Sequence, residues 1–235
     1  IVGGNRKTGD SEKYALDSLR MFFNLVSAKG SFKKFYYFGS GIEFGKEKPI
    51  IKFKEQEFGK RVPQSHWGLY KYACAKFTQE SDNFVNLRLF GVFGKYEDLR
   101  VRFISNAICK SIFNIPIVIN QNIKMDYLYV DDFVKILDML IGKKLNHNVY
   151  NITPDKSINL SQIVECVNSY SGKRVPVRFL HKGFSNEYSG SNVRLKKELG
   201  SYSFYKIDTA IGELYDWYLE RKNRINKSDL LKEYF

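Results

Sequence analysis

Residues 33–41, KKFYYFGSG, set four aromatic side chains on consecutive positions and end in Gly-Ser-Gly. A strand with one wet face alternates apolar and polar residues. An unbroken apolar run must be buried on both faces, which points to a parallel strand covered by helices on each side. The run NFVNLRLFGVFG (83–94) reads as a second such strand, followed by shorter ones at PIVIN, NVYNIT and VPVRFL. Helical patterns separate them. One runs from Ser11 to Lys29, with Tyr14, Leu16, Leu19, Phe22, Phe23 and Val26 as its stripe and Gly30 at its end. Others cover Ser65 to Glu80, RVRFISNAICKSIF and YVDDFVKILDMLIG. From Ser157 onward helices dominate: SINLSQIVECVNSYSG, with Ser157 or Asn159 as N-cap and Gly172 as terminator, then NVRLKKELG and TAIGELYDWYLERKNR. Alternating strand and helix implies an α/β fold built on a parallel sheet.

Composition narrows the classes. A chain of 235 residues with 43% apolar content can bury one large core or two modest ones. No window is long and apolar enough for a membrane span and no cleavable leader pattern opens the chain, so the expected location is cytoplasmic. Cys74, Cys109 and Cys166 lack CxxC spacing, and His66, His147 and His181 are scattered; neither a metal site nor a disulfide framework is indicated. The formal charge of +13 is spread from Lys7 to Lys232 among acids. No nucleic-acid-binding signature accompanies it, and a solvated lysine-rich surface or attraction of a diphosphate ligand explains it better than RNA, which remains a remote alternative.

In a doubly wound sheet, ligands bind at the carboxyl ends of the strands. The segments that fall there or beside it are, in order, VGGN, YFGSGIEFG, WGLYKYACAK, NLRLFGVFG, DYLYVDDFV, VYNIT and EYSGSNVRLKKELG. Their series resembles the extended short-chain dehydrogenase/reductase family, the NAD(P)-dependent nucleotide-sugar epimerases and dehydratases, over nearly the whole chain. VGGN with YFGSG is most similar to the branch containing GDP-fucose synthase. The resemblance implies a Rossmann-like doubly wound parallel sheet with a smaller α/β substrate domain, NAD or NADP as cofactor, a nucleotide-sugar substrate and a homodimer formed through the helix containing KYACAKF and its neighbour. It implies no nucleic-acid or membrane partner.

The family works with Ser or Thr, Tyr and Lys, the Tyr four residues before the Lys so that both project from one helical face. An ammonium beside a phenol lowers its pKa, and the Ser or Thr hydroxyl binds the substrate oxygen. By position Ser40 matches the serine, Lys71 the lysine, and Trp67 falls on the tyrosine. Indole donates one N–H and accepts nothing, so it cannot act as a phenolate. Tyr70 is a candidate surrogate, although it lies about 100° round the helix from Lys71. Tyr72 and Lys76 repeat the spacing, but Lys76 stands too near Arg88 for the helix to end and the next strand to begin. The resemblance further assigns Val2, Gly3, Gly4, Gly39, Lys71, Gly91 and Val92 to the cofactor, and Ser40 and Gly41 to the substrate. Arg100, Arg102 and Arg194 are candidates for the diphosphate because guanidinium bonds phosphate in pairs. Asp131 and Asp132 read as structural charges at a helix start; Ser18, where relatives carry Asn, has no assigned role.

The expected division gives 1–95 to the dinucleotide-binding domain, 96–125 to a substrate-domain insertion, 126–155 back to the first domain and 156–235 mostly to substrate binding. The family's phosphate-cradling G-x-x-G-x-x-G turn is not found in the sequence. Since the chain opens at Ile1 in what reads as a strand end, we expect roughly sixty residues carrying that turn upstream. A catalytically silent relative that binds a nucleotide sugar or a partner is the alternative that Trp67 raises.

Overall fold

The computed structural model describes residues 11–232. In chain order its elements begin with α1 (Ser11–Ser27), β1 (Phe35–Ser40), β2 (Ile50–Phe53), α2 (His66–Gln79), β3 (Phe84–Leu89) and β4 (Gly91–Phe93). There follow α3 (Phe103–Ile112), β5 (Ile117–Ile119), β6 (Lys124–Met125), β7 (Tyr127–Tyr129), α4 (Val130–Leu140) and β8 (Val149–Ile152). The remainder is β9 (Ile158–Asn159), α5 (Leu160–Ser171), β10 (Val177–Phe179), β11 (Tyr188–Gly190), α6 (Val193–Leu199), α7 (Ile207–Glu220) and α8 (Lys227–Leu231). The fold is α/β and Rossmann-like.

The described residues divide into two compact units, one of residues 11–90, 142–153 and 188–200, the other of 91–141, 154–187 and 201–232. The run 83–94, read as one strand, is two: β3 and β4 lie in different units, parted at Phe90.

The first unit is built on the parallel sheet β1-β3-β8, with Tyr37 opposite Asn86 and Gly39 opposite Arg88. Residues two apart share a face, so Phe35, Tyr37 and Gly39 line up beside Phe84, Asn86 and Arg88. The amino half of that face is aromatic. Phe22 of α1 meets Tyr37, Phe77 and Phe84 with ring centroids 5.2, 5.8 and 6.2 Å away, the first two edge-on. Such edge contacts suit the ring quadrupole. Leu16 and Phe23 of the expected stripe are instead 46% and 41% exposed.

The carboxyl half of the same face is polar. Arg88 Nε donates to Glu43 Oε2 at 2.7 Å, Arg88 Nη1 to Asn151 Oδ1 at 3.2 Å and Asn86 Nδ2 to Glu43 Oε2 at 3.0 Å, all without solvent exposure. Glu43 reaches the sheet from a 3-10 turn, Gly41–Phe44, capped by Ser40. β2 and β11 form a second parallel pair in this unit.

The second unit holds its core between α3, α5 and α7, where Ile108, Ile163, Val167, Ile211 and Leu214 are fully buried. Asn159 caps α5 in a reciprocal box with Gln162, and Gly172 ends it in the left-handed region at φ 67°. The pairs β4–β7 and β5–β10 are parallel and β6–β9 antiparallel.

Removing one partner of the buried ion pair strands the other. Arg88→Ala should cost about 3 to 5 kcal/mol in chemical denaturation, and the double variant Glu43→Gln with Arg88→Met less than Arg88→Ala alone. A cost of Arg88→Ala below about 1 kcal/mol would show that the pair does not hold the sheet face together.

Candidate functional site

The site grows from the carboxyl end of β1. Ser40 is the last strand residue and the cap of the following turn: its N–H donates to Glu43 Oε1 at 2.7 Å, and its Oγ accepts from Ile42 N at 3.4 Å. The S-x-x-E spacing of a capping box was therefore present in SGIE. Gly39 stands directly over the buried network. A Cβ there would meet Asn86 Oδ1 at 2.1 Å and Glu43 Oε1 at 2.3 Å. The polar groups beneath it leave no room for a side chain.

Helix α2 begins at a Ser65 cap, whose Oγ accepts from Gly68 N at 3.1 Å. One turn in, Lys71 Nζ donates to Phe38 O at 2.8 Å, two residues before Ser40 on β1. The ammonium lies 4.8 Å from the ring centre of Tyr37 and 5.4 Å from that of Tyr70. Burial pulls the lysine below its ordinary value, against the nearby Glu43 charge, which favours the cation. Ser40 and Lys71 are thus brought to the same strand end.

Trp67 does share the face of α2 with Lys71, half-buried against the aromatic cluster, its ring 5.4 Å from that of Tyr70. Tyr70 itself is buried in that cluster with Ala15, Phe22, Tyr37 and Cys74. Desolvation pushes its phenol up to about 12, away from what a base at neutral pH requires. Tyr72 stacks on Phe58 at 4.7 Å, and Lys76 pairs with Glu80 at 3.3 Å on the exposed side of α2. That second spacing assembles no site.

The other expected residues are placed as follows. Val2, Gly3 and Gly4 lie outside the described residues. Gly41 is buried beside the ring of Phe90, opposite a tyrosine that the motif reading missed, Tyr188: a Cβ on Gly41 would stand 2.8 Å from its Oη. Tyr188 Oη lies 3.3 Å from Ser40 Oγ. Only its place next to SGSN in the sequence hinted at it, and pairing of β11 with β2 depends on contacts far apart in the chain. Arg194 is half-buried along the edge strand β8, donating from Nη1 to Val149 O at 3.1 Å, with Nε 3.8 Å from Glu55 Oε2. These partners hold it near the amino end of β8, where it lines a cavity of about 460 Å³ with Lys54, His147 and Lys197. It is not brought to Ser40.

In the second unit Gly91 and Val92 pair with Tyr127 and Leu128. Arg100 grips Asp98 with Nε and Nη2, each at 2.8 Å, and Arg102 is exposed. Asp132 is a buried acceptor for Tyr202 Oη at 2.5 Å and Tyr205 N at 3.0 Å, which suits its structural reading; burial raises its carboxyl. It also borders a cavity of about 560 Å³ lined by Tyr127, Tyr129, Lys156 and Tyr205. All three cysteines are free thiols, two of them buried. No helix among the described residues is long and apolar enough to cross a membrane.

The model of the NAD dependent epimerase/dehydratase family matches residues 2–153. The chain belongs to that family.

Among solved structures it is similar to a GDP-L-fucose synthetase from Naegleria fowleri bound to NADP, with TM-score 0.81 at 15% identity over 96% of this chain and 76% of that one. A UDP-glucuronic acid 4-epimerase from Bacillus cereus in complex with NAD gives 0.77 at 18% identity, covering 94% and 72%. A GDP-mannoheptose C4 reductase from Campylobacter jejuni with NADP bound gives 0.75 at 14% identity, covering 93% and 80%. No match was found among curated protein sequences.

One carboxyl of the second unit titrates unusually. Glu97 accepts from Ser105 Oγ at 2.5 Å, and burial lifts it from 4.5 to about 7 against the opposing pull of Ser105 and Arg102. The folded form holds this proton longer than the unfolded one, so its stabilising contribution is full below 4.5 and is lost as pH rises through about 7. Thermal melts across that window should show the wild type losing stability relative to Glu97→Gln; parallel curves would refute the assignment.

Proposed function

We propose that the protein catalyses NAD(P)-dependent hydride transfer at the ring of a nucleotide-activated sugar, as an epimerase, dehydratase or reductase. The observation that supports it best is the convergence of Ser40 and Lys71 at the carboxyl end of β1, in a chain of this family. An ammonium has three donors. One goes to Phe38 O; the others fit the hydroxyls of a nicotinamide ribose, so Lys71 is the residue that would hold that end of NAD or NADP. The nicotinamide, when bound, supplies the exchange of hydride with the sugar carbon. Ser40 Oγ, fixed by the turn over Glu43, binds and orients the sugar oxygen. Glu43 and the strand backbone keep both groups in register, which is how placement lowers a barrier.

Purified full-length protein is assayed for NAD(P)H absorbance change and for exchange at sugar C4 with a panel of nucleotide sugars. Turnover should fall about 100-fold in Ser40→Ala and in Lys71→Met. A second reading, a relative that binds a nucleotide sugar without turnover, is favoured by the indole of Trp67 where a phenol would serve. Calorimetric binding of a nucleotide sugar with no turnover by the wild type would establish it.

We further propose a cytoplasmic homodimer. Cys74 and Ala75 of KYACAKF are buried within the unit and cannot form its seam. Leu16, Met21, Phe23 and Leu25 on α1 and Leu69 on α2 remain between 41% and 47% exposed and supply the apolar face instead. In sedimentation, Leu16→Glu with Leu69→Glu should convert a dimer to monomer without unfolding; a wild-type monomer at micromolar concentration would refute the dimer.

A further inference from the structure

We propose that Tyr188 is the catalytic proton donor of this site, doing from β11 what the indole of Trp67 cannot do from α2. The inference rests on the hydride-transfer reading above. Its basis is positional. Tyr188 Oη and Ser40 Oγ are 3.3 Å apart, so one substrate oxygen can lie within hydrogen-bond reach of both hydroxyls. Both are held firmly. Ser40 is fixed by Glu43 and by the N–H of Ile42. Tyr188 is fixed by pairing with Ile50, by Ser189 Oγ accepting from Lys52 N at 2.9 Å, and by its ring against Phe90 at 5.2 Å. Gly41, with no side chain, leaves the phenol its place.

The neighbouring tyrosines of α2 and β1 face elsewhere. Tyr37 and Tyr70 are enclosed in the aromatic cluster, and Tyr72 stacks on Phe58. Burial and the Glu43 carboxylate raise the Tyr188 phenol, while Ser40 and the Arg88 guanidinium oppose them. The net direction is upward, so the phenol is protonated at neutral pH but a weaker acid than a free one, and its donation rests on its placement beside Ser40. With a reduced nicotinamide cofactor bound, hydride would pass to the carbonyl carbon of the sugar in the reducing direction. The carbonyl oxygen takes the proton as the phenol O–H breaks, and the phenolate regains a proton from water. The sugar is reduced and the cofactor oxidised; the reverse direction returns both.

The test uses full-length protein with the nicotinamide cofactor and whichever nucleotide sugar of the panel turns over. Tyr188→Phe should lower kcat about 100-fold while KM stays within about threefold, and Tyr72→Phe should leave both unchanged. Circular dichroism checks that Tyr188→Phe folds. Ring-fluorinated tyrosine incorporated at 188, which keeps the shape and acidifies the phenol, should move the alkaline limb of kcat to lower pH. A Tyr188→Phe enzyme with kcat within about threefold of wild type, or a limb that fluorination does not move, overturns the proposal while hydride transfer stands. Absence of turnover by the wild type with every sugar overturns both.

Discussion

The contact on which the first unit depends is the ion pair between Glu43 and Arg88, 2.7 Å apart and with neither side chain exposed. Taking two such charges out of water costs several kcal/mol each, and their attraction offsets this only when the remaining donors and acceptors are occupied. Here Glu43 also accepts from Ser40 N and Asn86, and Arg88 donates to Asn151 beside the rings of Phe44 and Phe58, while Arg88 Nη2 and Asn86 Oδ1 are buried with no hydrogen-bond partner. A 3-10 turn and all three strands of the sheet are therefore tied to one pair of charges. The same pair sets the position of Ser40, because the Ser40 N–H is one of its ligands. Stability and site geometry meet in a single network, and on β3 the sheet face changes from aromatic at Phe84 to polar at Asn86 within two residues.

The fold was legible where a pattern is local. Continuous aromatic runs gave β1 and β3, helical stripes gave α1 to α5, and Asn159 with Gly172 bounded α5. The strands β2, β6, β7, β9 and β11 were not legible: they have two to four residues, and their pairing partners lie elsewhere in the chain. The break at Phe90 was hidden for the opposite reason, since NFVNLRLFGVFG is apolar on both sides of it. Hydrophobicity reports burial without saying in which core.

The candidate site divides in the same way. Ser40 and Lys71 could be read because each belongs to a short motif whose geometry one strand end or one helix face determines. The ion pair was half-visible: SGIE carries the spacing of a capping box, yet nothing local marks Arg88 as its partner. Arginines were the least legible. Arg100 and Arg194 suit phosphate as free cations, but one holds Asp98 and the other a backbone carbonyl beside Glu55. A guanidinium in a sequence does not disclose whether its donors are already occupied.

Trp67 and Tyr188 set an indole and a phenol on two different elements of the first unit. A helix offers four residues of spacing to place a phenol beside Lys71, and that position is filled by an indole that contributes to the aromatic cluster. A strand paired through Ile50 delivers another phenol to Ser40 from 148 residues away in sequence. The two placements differ in what activates the phenol. Beside an ammonium a phenol is drawn toward the phenolate; at Tyr188 burial and the Glu43 carboxylate raise it, with Ser40 and Arg88 opposing. A phenol on the strand therefore relies on burial and on Ser40 for its placement, where one on the helix would rely on the ammonium.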